Sequence, residues 1–532
     1  MFLGSLESDL AQRAERWQQR DGTRRLLAKD AELFSGADES RWLGWLRPTA
    51  AVDGLAAFRE SLSAGDLVGI ETVVLLGMGG SSLGSEVVFQ TLQSQAQRRL
   101  VVLDTTNPES VGSTLDTIDP ATTLVIAASK SGSTLETAVL LELFWERFSR
   151  SLGEGCGAHF VAITDPGSAF EERARGDGFG HVFLGDREIG GRFSVLSPFG
   201  LVPAAALGID PETLIAPALE VLESALDDAV RLGLVLAAAH ESGRNKVTLR
   251  TSSGLGSFGT WLEQLLAEST GKGGVGLVPV DGEPATELGD DRLLVRLAIA
   301  GEPIEDDAEG VEEPRVEIEL PEASALGAEL YRWQIATAVV GAELGLNPFD
   351  QPDVEAAKVV TRRLVEQLDA PAEPPRDPPV HLLSATTGDD LASAFAGLLE
   401  ETSENGTYLA ILAYLPMSPI ARGTLRSLRS LVIEQRSWAT CSGFGPRYLH
   451  STGQVHKGGP PQGRFLALSA ASAEDRAIPG RTATLAQVHN SQALGDVEVL
   501  SQRQRPVAHV ELRGPLEAAL EELRRQFRRG LG

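Results

Sequence analysis

Two serine–glycine runs carry the first chemical signal in this chain: Gly77-Met-Gly-Gly-Ser-Ser-Leu-Gly84 and Ser129-Lys-Ser-Gly-Ser-Thr134. Each follows a short apolar stretch and opens a helical pattern. At the carboxyl ends of parallel strands, helix N-termini offer unpaired N–H groups and the positive end of a dipole. Hydroxyls add hydrogen bonds without bulk, so the pair reads as a cradle for a phosphate. In the second loop Ser133, Thr134 and Glu136 can form a capping box. Ser129, Lys130 and Ser131 are then left without a structural task on a shoulder where an anion would sit.

Proton-transfer groups lie further along. Glu268, in Trp261-Leu-Glu-Gln-Leu-Leu-Ala-Glu-Ser-Thr-Gly-Lys272, falls in the last turn of a helix that Gly271 should stop. The negative end of the helix dipole makes this a costly place for an anion, and a placement against propensity marks a functional base. In Ile189-Gly-Gly-Arg-Phe-Ser194, Gly190 and Gly191 let the backbone approach a ligand while Arg192 can stabilise a developing oxyanion. Asn347-Pro-Phe-Asp-Gln-Pro-Asp-Val-Glu-Ala-Ala-Lys358 enters a helix with Pro352 in its first turn, aligning Gln351 and Lys358 on one face. Of the 47 basic residues 41 are arginine, and four of the six lysines, Lys130, Lys272, Lys358 and Lys457, stand inside motifs. An ammonium can give and take a proton where a guanidinium cannot.

The elements that must position these groups follow a βα alternation. Apolar runs at 72–76, 100–103, 124–128, 159–163 and 181–184 predict five parallel strands with crossover helices. Residues 211–243 read as a long helical connection interrupted at Pro217. A second unit begins at Lys246 and contains a helix at 260–268, strands near 293–298 and 316–320, and helices at 323–344 and 354–368. The acidic stretch 305–313 reads as a solvated loop and 370–379 as a proline-rich linker. Strands at 408–415 and 464–469 predict a further α/β region. The resulting organisation is an N-terminal helical arm (1–50), a first doubly wound domain (51–215), a second (216–370) and a C-terminal α/β region (380–532).

At 532 residues with a formal charge of −27, the chain is an unpromising partner for nucleic acid or an anionic membrane. Its two cysteines, Cys156 and Cys441, form no disulfide or metal framework, which suits a reducing cytoplasm. The N-terminal segment has no signal-peptide core, and the longest apolar stretch is too short to span a bilayer. Ser82 stands where a dinucleotide fingerprint needs its third glycine, which weighs against a dehydrogenase.

In combination, GMGGSSLG, SKSGSTLET, GGRFSVLSPFG, AESTGK and NPFDQPDVEAAK resemble the phosphoglucose isomerases, built from paired sugar isomerase (SIS) domains. The resemblance covers residues 70–360. Together with DAELFSG, RWLGWLRP and YLHSTGQVHKGGP it is closest to the isomerase module fused in some bacteria behind a transaldolase barrel. No barrel precedes the module here, so isomerase activity alone is expected.

The resemblance implies that Ser129, Ser131 and Thr134 bind a sugar phosphate, with Gly80 and Ser81 lining the pocket and Lys130 beside them. It implies Glu268 as the base moving a proton between C2 and C1 and Arg192, after Gly191, as stabiliser of a cis-enediolate. Gln351 would contact substrate and Lys358 would help open the ring. A ring-opening histidine, supplied in the family by the neighbouring subunit of a homodimer, has no counterpart between Glu268 and Lys358. His450 is the favoured candidate, with His456 close behind. The implied reaction interconverts glucose 6-phosphate and fructose 6-phosphate, in glycolysis and gluconeogenesis, with no cofactor or metal. Mannose 6-phosphate is a second possible substrate, and a noncatalytic SIS-type regulator is the alternative class.

Overall fold

The computed structural model describes residues 1–284, 288–304, 314–366, 378–400, 406–471 and 474–531. The acidic stretch 305–313 and most of the proline-rich segment lie outside these residues.

Five fully parallel strands form the first sheet: β1 (Thr72–Gly77), β2 (Arg99–Leu103), β3 (Thr123–Ala128), β4 (Phe160–Thr164) and β5 (His181–Leu184). Their order is β2-β1-β3-β4-β5. Every residue of β1 and β3 is buried, because helices cover both faces of the sheet. From β1 the chain crosses to β2 on one side and returns to β3 on the other. The loops after β1 and β3 therefore lie side by side at the switch point of the sheet. Both serine–glycine runs occupy those loops.

The second sheet is also parallel, with order β7-β6-β8-β9. It comprises β6 (Lys246–Thr251), β7 (Val278–Val280), β8 (Arg292–Ile299) and β9 (Arg315–Leu320). The third contains β10 (Val380–Ala385), β11 (Tyr408–Tyr414), β12 (Ala439–Phe444), β13 (Gly463–Ala470) and β14 (Val507–Leu512). Its order is β10-β14-β13-β11-β12, with only β10 antiparallel to its neighbour.

The cores are not separate. The N-terminal arm, the first sheet and the second share one apolar cluster, in which Trp45 stacks on Phe193 with centroids 4.8 Å apart. The apolar cluster on the other face of the first sheet, built mainly by the helices Pro108–Thr117 and Leu135–Leu152, is joined by Ile478, Ala483, Leu485 and Val488 from the C-terminal region. Val278 and Val280 pack with Tyr408, Tyr448 and Phe465, joining the second sheet to the third. Among the described residues no helix is long and apolar enough to cross a membrane.

Local expectations differ from the structure at several points, and the expected strands omit β10, β12 and β14 as well as β7. Pro217 lies inside the helix Glu212–Ser224, and the break falls at Ala225, before the helix Leu226–Glu241. The carbonyl that Pro217 leaves without a donor belongs to the first turn, where the disruption is small, whereas Asp227 and Asp228 favour a new N-terminus. Strand β7 escapes detection because it has three residues, one of them Pro279. The capping box does not form: Thr134 precedes the helix Leu135–Leu152 with no side-chain cap bond, and Glu136 turns elsewhere.

Candidate active site

A cavity of about 1220 Å³ opens where the three sheets meet. Its lining includes Gly80, Ser81, Lys130, Ser131, Thr134, Gly191, Arg192, Glu268, Gln351, Lys358 and His450. Ser129 and His456 do not reach it.

The helix Phe258–Thr270 presents Glu268 one turn before its Gly271 C-cap. A Cβ at Gly271 would come within 2.4 Å of the Val455 backbone, so the helix end is clamped against the segment that follows His450. The Glu268 carboxylate is buried and held from two sides. Gln264, one turn earlier, donates from Nε2 to Oε2 at 3.1 Å, and Arg192 Nη1 lies 3.4 Å from Oε1. Gln264 Oε1 is buried without a hydrogen-bond partner. Its i, i+4 spacing from Glu268 is the signal by which sequence reasoning could have found it.

Arg192 is fixed by its own hydrogen bonds. It donates from Nε to Ser269 Oγ at 2.9 Å, from Nη2 to the carbonyls of Pro348 (2.8 Å) and Asp350 (2.7 Å), and from Nη1 to Gln351 Oε1 at 2.9 Å. Burial pulls its pKa down while Glu268 and Asp350 oppose that, and a guanidinium remains charged throughout. Lys272 ties the same loop, donating to the Asn347 carbonyl and, at 2.6 Å each, to the carbonyl and carboxylate of Asp350. Burial, with the charge of Arg192, brings the Lys272 ammonium down to about 8.

On the opposite wall the loops after β1 and β3 meet the glycine turn. A Cβ on Gly80 would lie 1.9 Å from the Gly191 carbonyl oxygen, so these backbones touch only because Gly80 has no side chain. Ser129 is buried and donates to Thr134 Oγ1 at 3.1 Å, bracing the loop from behind. The Ser131 and Ser133 hydroxyls pair at 2.9 Å. Lys130 is held by Asp165 at 2.6 and 2.8 Å and by the Asp186 carbonyl at 2.9 Å, so it has the structural task that its sequence context did not reveal.

The third wall comes from the C-terminal region. His450 Nε2 donates to Glu136 Oε1 at 3.1 Å, and Gln492 Nε2 donates to the same oxygen at 2.7 Å. Burial opposes the Glu136 anion, yet the charge and hydrogen bond of His450, joined by Lys358, hold its carboxyl below the usual glutamate range. Lys358 itself is exposed at the rim and pairs with Glu355 at 2.7 Å. His456 is buried between Tyr408 and Phe465, its Nδ1 3.1 Å from the Tyr408 hydroxyl, and burial drives its pKa down to about 3. Lys457 is equally internal, in a buried ion pair with Asp496 at 2.5 Å. Gln492 lies too far along the chain for any local pattern to point to it.

Fold and site together define a doubly wound α/β protein that can hold an anion beside a buried carboxylate, a fixed guanidinium and a carboxylate-bound imidazole. Residues 49–275 match the family model described as phosphoglucose isomerase. A glucose-6-phosphate isomerase of Thermus thermophilus is 33% identical over 401 residues, covering 64% of this chain and 93% of that protein. One from Rubrobacter xylanophilus is 30% identical over 354 residues, covering 55% and 82% respectively. The crystal structure of hypothetical protein TT0462 from Thermus thermophilus superposes with a TM-score of 0.56 at 29% identity, covering 68% of this chain and 98% of that one. The chain belongs to the phosphoglucose isomerase family.

Proposed function

We propose that the protein interconverts glucose 6-phosphate and fructose 6-phosphate. The observation that carries this reading is the buried Glu268 carboxylate held between Gln264 and Arg192 in the same cavity as the serine loops. An aldose and its ketose differ in one proton and one carbonyl position. A single base can take the proton from C2 and return it to C1 through an enediolate whose oxygens are stabilised, while a second proton passes from O2 to O1 to complete the exchange. The fixed Arg192 charge suits that task because it needs no reorganisation during reaction. Gly80, Ser81, Ser131 and Thr134 serve as the phosphate cradle, Ser129 braces it and Gln351 contacts the sugar.

Ring opening falls to His450, with Lys358 at the rim. The Nε2–H of His450 is engaged by Glu136, and among the described residues Nδ1 has no hydrogen bond, so the imidazolium can deliver its Nδ1 proton to the ring oxygen while the C1 hydroxyl gives up its own to water. His456 has no part in this reading, since its ring is enclosed by aromatic side chains. The homodimer and the cytoplasmic location expected from the sequence belong to the same proposal, and sedimentation and fractionation test them.

A coupled assay of the purified protein on fructose 6-phosphate, without added metal or nucleotide, tests the function. Glucose 6-phosphate should form. Binding of either hexose phosphate without turnover would favour the noncatalytic regulator, and a parallel assay with mannose 6-phosphate reads the second substrate.

A further inference from the structure

We infer that one chain carries a complete catalytic site, with the C-terminal region supplying the histidine wall that would otherwise have to come from a second copy. This inference rests on the isomerase reading and on the role given there to His450.

The His450 segment is anchored to its own chain on every side. Arg447, three residues before it, places its guanidinium between Glu86 and the wholly buried Asp104, 3.0 Å from the Asp104 carboxylate. Both acids belong to the first doubly wound unit. Gln454, four residues after it, donates at 2.9 Å to the Gly271 carbonyl that ends the Glu268 helix and at 2.7 Å to Asp353. Its Oε1 accepts from the backbone N–H groups of Asp353 and Val354 at 3.0 and 3.2 Å. These bonds tie the segment at once to the base and to the helix bearing Lys358.

The support behind it is equally internal. Gln492, which shares Glu136 with His450, accepts at 2.6 Å from Thr106, and His489 lies 2.9 Å from the same hydroxyl. Leu485 and Val488, on the same helix Leu485–Gln502, pack into the apolar cluster on one face of the first sheet. Withdrawing this region to serve a neighbour would uncover part of that cluster, strip the buried Asp104 of its only ion-pair partner among the described residues, Arg447, and leave Glu136 without His450 and Gln492. The wall is therefore part of the fold of each chain, and no second copy is needed to bring an imidazole to Glu136.

Trans-complementation distinguishes the two arrangements. Glu268→Gln and His450→Asn chains, each folded by far-UV circular dichroism, are co-expressed with different tags, and species carrying both tags are isolated. If each chain owns its site, every site in such a species contains one defect, and turnover stays at the level of the parents. If the histidine crosses between copies, or if chains swap C-terminal regions, one site in a mixed dimer is intact and half the wild-type activity returns. That result overturns the inference and leaves the isomerase reading standing. Failure to recover any doubly tagged species while wild type turns over supports the inference, because the chain then works alone. Undiminished turnover by the His450→Asn parent overturns it as well. A wild-type protein inactive on both hexose phosphates removes the isomerase reading and the inference with it.

Discussion

Oε1 of Glu136 accepts hydrogen bonds from His450 and Gln492, at 3.1 and 2.7 Å, joining residues 314 and 356 positions apart in the chain. A carboxylate that a local pattern would spend on capping its own helix instead holds an imidazole at the mouth of the cavity. The cost of burying Glu136 is offset by that partner. The ring is held by a group that has no slack of its own.

This bond makes a pH-dependent contribution whose sign is fixed. The folded Glu136 carboxyl lies below its ordinary value of 4.5, so the unfolded chain binds more protons in the interval between the two. The stabilisation is complete above about pH 4.5 and is lost as pH falls through the folded value. Glu136→Gln should therefore be less stable than wild type near neutrality by about 1 to 2 kcal/mol, and the gap should narrow as pH drops below 4.5. Urea denaturation at several pH values measures it; a gap that widens in acid contradicts the assignment.

His450 and His456 separate cleanly as targets. His450→Asn should lower turnover on closed-ring substrate by roughly 10²-fold or more, with the binding of substrate retained. His456→Asn should leave kcat in the folded fraction near that of wild type and act through stability, because its ring packs against Tyr408 and Phe465. Steady-state kinetics beside thermal melting tells the two apart.

Glu268→Gln preserves shape and removes the base. About 10²- to 10⁴-fold in kcat should be lost while KM changes little, since the carboxylate acts in proton transfer more than in holding the phosphate. Loss of exchange between solvent and the C1 or C2 proton, followed by NMR, is the sharper check. Continued exchange at the wild-type rate would assign the base elsewhere.

The same residues explain how far the sequence could be read. The strands of the first sheet and the helix carrying Glu268 follow from apolar runs bounded by glycine and serine turns, which are local signals. Glu268, Arg192 and the serine loops were legible because each breaks a local rule: an acid at a helix C-terminus, an arginine after two glycines, hydroxyls with no evident partner. Gln492 and the task of Glu136 were not, because they exist only once distant segments are packed together. Lys130 was misjudged for the same reason, since its partner Asp165 comes from the next strand's loop. His456 carried a plausible spacing, but burial behind Tyr408 is a property of the third sheet's packing that spacing does not encode.

The contact between Gly80 and Gly191 gives a backbone test of how the loops are assembled. In Gly80→Ala the new Cβ would meet the Gly191 carbonyl at 1.9 Å, and neither group is a flexible side-chain end. The loops must part, at a cost of about 3 kcal/mol or more, and the glycine turn that carries Arg192 must shift. Gly190→Ala is the control: a Cβ there would meet nothing within 4 Å and the backbone φ is −68°, so its stability should stay within about 1 kcal/mol of wild type. Equal melting temperatures for the two variants would mean that the loops do not touch in solution.

Arg192→Lys tests whether charge or geometry matters at the guanidinium. An ammonium keeps the positive charge but cannot reach Ser269, the Pro348 and Asp350 carbonyls and Gln351 from one atom. Buried acceptors left without donors cost about 1 to 3 kcal/mol each, so the variant should be destabilised by several kcal/mol unless water enters. If the enediolate is stabilised by a fixed donor in the right place, kcat should also fall by roughly 10²- to 10³-fold in the fraction that remains folded. A variant that melts early yet turns over at the wild-type rate would restrict Arg192 to holding the Pro348–Gln351 loop, and the oxyanion role would pass to another group in the cavity. A variant that loses turnover in step with binding would instead put its main contact on the substrate's ground state. Only loss of kcat beyond any change in KM supports the role given to it.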